Sequence, residues 1–128
     1  MSTCKAVVLA VILALCTGIS RGQCPATCHC DGTVVRCKGQ QLLTIPLSLP
    51  DATTTLDLYN NSIASLPADA LQELTNLNTL LLWGNRLRNI SRATFRGLAK
   101  LRILSLSSNQ LESIDDGAFE GMPDLYEL

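Results

Sequence analysis

The chain has 128 residues, of which 47% are apolar and 16% charged, and leucine alone fills 24 positions. So much apolar content excludes a disordered or low-complexity chain, and a formal net charge of -1 argues against a nucleic-acid binder, which carries a strong basic excess. Aromatics make up only 4%, so leucine has to fill the core of the single domain that this length allows.

The first element reads as a secretory leader rather than part of the fold. Lys5 is the only charge before an apolar run from Ala6 to Cys16. That run is too short to span a bilayer and has the length of a signal-peptide hydrophobic region. Small residues follow at Gly18, Ser20 and Gly22. Cleavage after Gly22 starts the mature chain at Gln23; cleavage after Gly18 or Ser20, or an uncleaved short anchor, are the alternatives. Cys16 follows bulky Leu15, which suits a lipoprotein signal poorly. Residues 1–22 are therefore assigned as signal peptide. Their removal leaves 8 basic against 11 acidic residues, and four cysteines.

Those four cysteines crowd into residues 23–52, in the string CPATCHCDGTVVRC: Cys24, Cys28, Cys30 and Cys37. An even number behind a signal peptide reads as a disulfide framework formed in an oxidising compartment. Four cysteines allow three pairings, and the spacing does not choose among them. A zinc site that includes His29 is the competing reading, but zinc sites prefer Cys pairs separated by a longer loop. His29 between two cysteines reads as a solvated loop residue.

From Leu56 the chain repeats itself. LDLYNNSIASLPADALQEL (56–74), LLLWGNRLRNISRATFRGL (80–98) and LSLSSNQLESIDDGAFEGM (104–122) each start 24 residues after the last. Asn61, Asn85 and Asn109 share a column, as do Leu58, Leu82 and Leu106, and Ile63, Leu87 and Leu111. Further columns hold Leu66, Ile90 and Ile114, then Leu71, Phe95 and Phe119, then Leu74, Leu98 and Met122. The pattern L-x-x-L-x-L-x-x-N-x-L at a fixed period is that of a solenoid, and a period of 24 excludes a single amphipathic helix. The units are 53–76, 77–100 and 101–124, with 125–128 beginning a fourth. One copy cannot bury its leucines alone; stacked copies share a core.

On these motifs the chain resembles the leucine-rich repeat family of extracellular proteins over essentially all of residues 24–128. The cysteine string is similar to that family's N-terminal cap, C-P-x-x-C-x-C-x6-C, at Cys24, Pro25, Cys28, Cys30 and Cys37. The layout is shared with Slit-type proteins, variable lymphocyte receptors and other receptor ectodomains. The resemblance implies bridges Cys24–Cys30 and Cys28–Cys37. The expected fold is α/β: a right-handed leucine-rich repeat solenoid with a parallel concave β-sheet, a disulfide N-terminal cap and a short helical, 3₁₀ or irregular convex side.

Each L-x-L segment is expected as a strand whose leucines point inward and whose alternating residues face the concave side. Those are Thr55, Asp57 and Tyr59, then Thr79, Leu81 and Trp83, then Ile103, Ser105 and Ser107. An exposed Tyr59–Trp83 pair beside Leu81 and Ile103 has the composition of a binding hot spot, so Asp57, Tyr59, Leu81, Trp83, Ile103 and Ser105 are the candidate ligand contacts. The bland reading is that the aromatics only shield the sheet and stack on each other. The column Asn61, Asn85 and Asn109 is structural, since an amide can bond backbone in its own turn and in the next coil.

Arg86, Arg88, Arg92 and Arg96 offer a rim for a glycosaminoglycan, though Glu112, Asp115 and Asp116 in the next copy can offset them. Asp115–Asp116 reads as the start of a helical turn. Asn60 and Asn89 head N-x-S sequons, with Asn89 placed on an exposed loop. The single His and the absence of a nucleophile elbow, a P-loop or paired carboxylates leave no catalytic constellation, so no enzyme activity and no cofactor or metal are expected. The chain stops at Leu128 inside a fourth copy with no second cysteine cap. That implies a fragment of a longer protein, with a membrane anchor conceivable beyond residue 128, or a short secreted form that dimerises. The expectation is an extracellular recognition module, secreted or at the cell surface, that binds a protein ligand on the concave sheet; the alternative is a matrix protein that binds collagen or glycosaminoglycan.

Overall fold

The computed structural model describes residues 24–46, 48–67 and 70–125. The assigned signal peptide and most of the incipient fourth copy, 126–128, lie outside the described residues. The described residues form seven short strands: β1 (His29–Asp31), β2 (Val34–Arg36), β3 (Thr55–Asp57), β4 (Thr79–Leu81), β5 (Asn89–Ile90), β6 (Ile103–Ser105) and β7 (Ser113–Ile114). The main sheet has the order β1-β2-β3-β4-β6. β1 and β2 form an antiparallel hairpin, and β2, β3, β4 and β6 then run parallel.

The register follows directly from the leucine spacing. Val35, Leu56, Leu80 and Leu104 stand opposite one another, and each is completely buried. Strand alternation sends their flanking residues to the other face, and those are half-buried in β3, β4 and β6. The core behind the sheet continues through Leu58, Leu82, Ile63, Leu87, Leu77 and Leu101, all fully buried. Phe95 and Phe119, in one column of the return segments, stack with ring centroids 6.1 Å apart.

The asparagine column locks each coil to its predecessor. The Asn61 side-chain nitrogen donates to the carbonyls of Leu58 in its own coil and Cys37 in the cap, and its oxygen accepts from the amides of Gln40 and Leu42. Asn85 donates to Leu82 and Leu58 and accepts from Ile63. Asn109 donates to Leu106 and Leu82 and accepts from Leu87. Only a side-chain amide offers both donor and acceptor at this reach. The preceding position must take positive φ: Asn60 (55°), Gly84 (76°) and Ser108 (55°) occupy it in successive coils. Asn tolerates this left-handed conformation and Gly adopts it freely, whereas Ser carries a steric cost.

The cap closes the first coil. Cys24 is bonded to Cys30 and Cys28 to Cys37. Thiols consumed in disulfides are not thiolate ligands, so the zinc reading of this cluster falls. Of the helical, 3₁₀ and irregular forms expected for the convex side, the return segments take the irregular one. Residues 92–97 and 116–121 are successive turns, held by isolated short-range bonds such as Leu98 N to Phe95 O and Ala118 N to Asp115 O, and no helix occurs among the described residues. Asp115–Asp116 therefore begins a turn rather than a helix. A second, two-stranded parallel sheet pairs β5 with β7.

Candidate functional site

The concave face is a grid of three columns. Val34, Thr55, Thr79 and Ile103 form the first, and Arg36, Asp57, Leu81 and Ser105 the second. Beyond the strands, Gly39 N donates to Tyr59 O, Asn60 N to Trp83 O and Gly84 N to Ser107 O. These bonds carry the ladder on, so Lys38, Tyr59, Trp83 and Ser107 make a third column. The grid brings together all six candidate ligand contacts, Asp57, Tyr59, Leu81, Trp83, Ile103 and Ser105, and each is half-buried.

The Tyr59 and Trp83 rings stack, with centroids 4.6 Å apart and planes inclined by 16°. The Lys38 ammonium lies 5.6 Å from the Tyr59 ring centroid, within cation–π range. The three side chains thus form one continuous row. Asp57 Oδ1 accepts a hydrogen bond from the Tyr59 amide at 3.1 Å, which fixes the carboxylate beside the row. Arg36 and Lys38 were not among the candidates, and the reason is geometric. Repeat strands lie 24 residues apart, but the cap strand pairs at a separation of 21, as in Thr33 to Thr54 and Gln40 to Asn61. Aligning copies at 24 cannot place the cap on the same grid. The alternation in VVRCK was the available signal: buried Val35 and Cys37 alternate with exposed Arg36 and Lys38.

The arginine rim is partly compensated. Arg88 pairs with Glu112 of the next coil, and Arg92 donates through its amide to the Asp115 carboxylate and through Nε to the Asp116 carbonyl. Arg86 and Arg96 are exposed. Of the two sequons, Asn89 lies on strand β5 rather than on a loop, and its side-chain oxygen accepts from the Ser113 hydroxyl at 2.7 Å. Asn60 is exposed at the end of the aromatic row, and its side-chain oxygen lies so close to Gly84 that a Cβ there would collide with it. Asn61, in the same sequon, is buried with its amide fully engaged. Among the described residues no three His, Cys, Asp or Glu side chains are grouped to hold a metal ion.

Comparison with known proteins accounts for this architecture. The leucine-rich repeat N-terminal domain family matches residues 23–50, and leucine-rich repeat families match residues 53–74 and 75–128. Amphoterin-induced protein 1 of Mus musculus is 43% identical over 65 residues, covering 50% of this chain and 13% of that protein. Peroxidasin of Drosophila melanogaster is 43% identical over 72 residues, covering 56% of this chain and 5% of that one. Thus the chain spans a small part of the length of the curated relatives it matches. The crystal structure of human 5T4 (Wnt-activated inhibitory factor 1, Trophoblast glycoprotein) superposes with a TM-score of 0.71 at 37% identity, over 76% of this chain and 37% of that one. Disulfides persist in oxidising compartments, which together with these relatives suggests an extracellular or cell-surface location. Cap, repeats, asparagine ladder and sheet all agree with these matches, and the chain belongs to the leucine-rich repeat proteins with a cysteine-rich N-terminal cap.

Proposed function

We propose that the chain is an extracellular recognition module that binds a protein ligand on the concave sheet, as part of a receptor ectodomain, an adhesion protein or a secreted ligand trap. The observation that carries this reading is the stacked Tyr59–Trp83 pair, half-exposed on a regular sheet beside Leu81 and Ile103. Tyr and Trp supply large, stiff contact area and dominate interface hot spots. Nothing behind the sheet requires aromatics there: the third coil carries Ser107 in the same column and keeps the same backbone ladder.

Binding is the whole activity in this reading, with no chemistry performed. The resemblance to Peroxidasin is confined to 72 residues, 5% of that protein, and does not bring that protein's activity with it. Asn60 and Asn89 are the proposed glycan acceptors. A glycan on Asn60 would border the aromatic row and limit approach from that side, and peptide mapping of the secreted chain before and after glycosidase treatment tests both sites. The matrix reading, with glycosaminoglycan on the arginine rim, is weaker because acidic or carbonyl groups of the next coil already meet Arg88 and Arg92.

The test is selection of binders from a random dodecapeptide library displayed on phage, using the full chain from a secretory host. The reading expects selected peptides whose binding falls at least tenfold on Trp83→Ala or Tyr59→Ala. Peptides that bind both variants as well as the parent chain would contradict it.

A further inference from the structure

The concave face is asymmetric in charge. On the cap side it presents Arg36 and Lys38, one residue apart on either side of Cys37, and both are exposed. Arg36 makes no ion pair or side-chain hydrogen bond among the described residues, and the Lys38 ammonium lies over the face of Tyr59. His29 stands directly across the hairpin from Arg36, so the two side chains share a face. These three, with Thr27, Gln40 and Asp57, line one shallow depression at the cap end of the sheet. At the other end the same columns carry Ile103, Ser105 and Ser107, with no charge. The chain as a whole is slightly acidic, so this corner runs against the overall balance.

We infer that the binding face extends onto the cap, and that the partner is a protein segment presenting an acidic side chain to Arg36 and Lys38 next to an aromatic or aliphatic one on the Tyr59–Trp83 stack. This rests on the concave-face reading above and narrows it to a partner chemistry. The guanidinium offers a planar fork that matches a carboxylate. Lys38 presents a second cation already held in place along the aromatic row, so less side-chain freedom is lost when a ligand arrives. Asp57 decides between classes of anion. It lies laterally beside Arg36 in the sheet register, held by its bond to the Tyr59 amide, and so divides the basic corner from Leu81. A sulfated polysaccharide, with charge along its whole length, meets repulsion at Asp57. A peptide meets it only if it places a second acid there, and a peptide N–H can donate to the Asp57 carboxylate instead. Opposite charges across such a surface govern partner choice and association rate.

The same dodecapeptide selection tests this, with heparin-column retention as a parallel measurement. The expected consensus carries Asp or Glu within a few residues of Trp, Tyr, Phe or Leu. Synthetic peptides of that consensus should lose at least tenfold in affinity on Arg36→Glu or Lys38→Glu, and should lose less on Arg36→Gln and Lys38→Gln. They should be unaffected by Arg96→Glu, which reverses a rim charge away from the corner. Unchanged thermal melting of these surface variants excludes misfolding. Peptides that depend on Trp83 but carry no acid, or that ignore Arg36→Glu and Lys38→Glu, would overturn the inference and leave the concave-face reading standing. Peptides indifferent to Trp83 and Tyr59 would remove both. Heparin retention at 0.15 M salt that vanishes on Arg36→Glu and Lys38→Glu would also overturn it, in favour of a polysaccharide.

Discussion

The column Asn61, Asn85 and Asn109 and the column Tyr59, Trp83 and Ser107 climb the same three coils, two residues apart. One never changes and the other differs at every step. The constant column holds side chains whose oxygen and nitrogen serve the backbone of two coils at once. Replacing any of them leaves at least one backbone amide of the preceding coil or cap without its partner. In the variable column the backbone bonds close without help from the side chain, since Trp83 O and Ser107 O accept equivalently from the turn of the preceding coil. The inward position is dictated by folding, and the outward one is free to vary.

The sharpest way to break that comparison is Asn85→Ala, which leaves Ile63 N without a partner and removes one of the two side-chain donors to each of Leu58 O and Leu82 O. With the orphaned amide costing about 1–3 kcal/mol and each lost carbonyl bond about 1 kcal/mol, we expect a loss of about 3–5 kcal/mol, read from urea denaturation. Asn109→Ala should lose less, about 1–3 kcal/mol, because Asn109 is half-buried and water can substitute. Next comes the cap. Paired Cys28→Ala and Cys37→Ala opens a loop of sequence separation 9, with an expected loss of about 2–3 kcal/mol by chain entropy, measured the same way under non-reducing conditions. The smallest effect concerns the left-handed position just before the ladder. Ser108 holds φ of 55° where Gly84 holds 76°, so Ser108→Gly should raise stability by about 1 kcal/mol, visible as a higher melting temperature.

Repeated demands were legible in the sequence, and single events were not. The 24-residue period announced the parallel strands, because every coil needs the same leucines and the same asparagine to cover its neighbour. It also carried the lateral neighbourhood of Tyr59 and Trp83, now seen as a stack. The cap strand escaped because it pairs at a separation of 21, so Arg36 and Lys38 stood outside every alignment of copies. The β5–β7 pairing escaped because two-residue strands leave no alternating pattern. Ile114 shows the limit of column logic. It aligns with Leu66 and Ile90, yet it is 47% exposed whereas Ile90 is 1% exposed. Ile90 lies beneath the coil that carries Ile114, and among the described residues no coil lies over Ile114. The convex returns matched between copies in Phe95 and Phe119, but a shared core-facing ring does not say whether the chain around it is helix or turn.

The most direct measurement compares urea denaturation of Trp83→Ser and Asn85→Ala in the full chain, the first substitution installing the residue that the next coil carries in the same column. If the outward column serves recognition, Trp83→Ser should cost only about 1 kcal/mol, the worth of one aromatic pair, far less than Asn85→Ala. A loss on Trp83→Ser equal to that on Asn85→Ala would contradict the account, because the stack would then be a structural cover for the sheet rather than a surface kept for a partner.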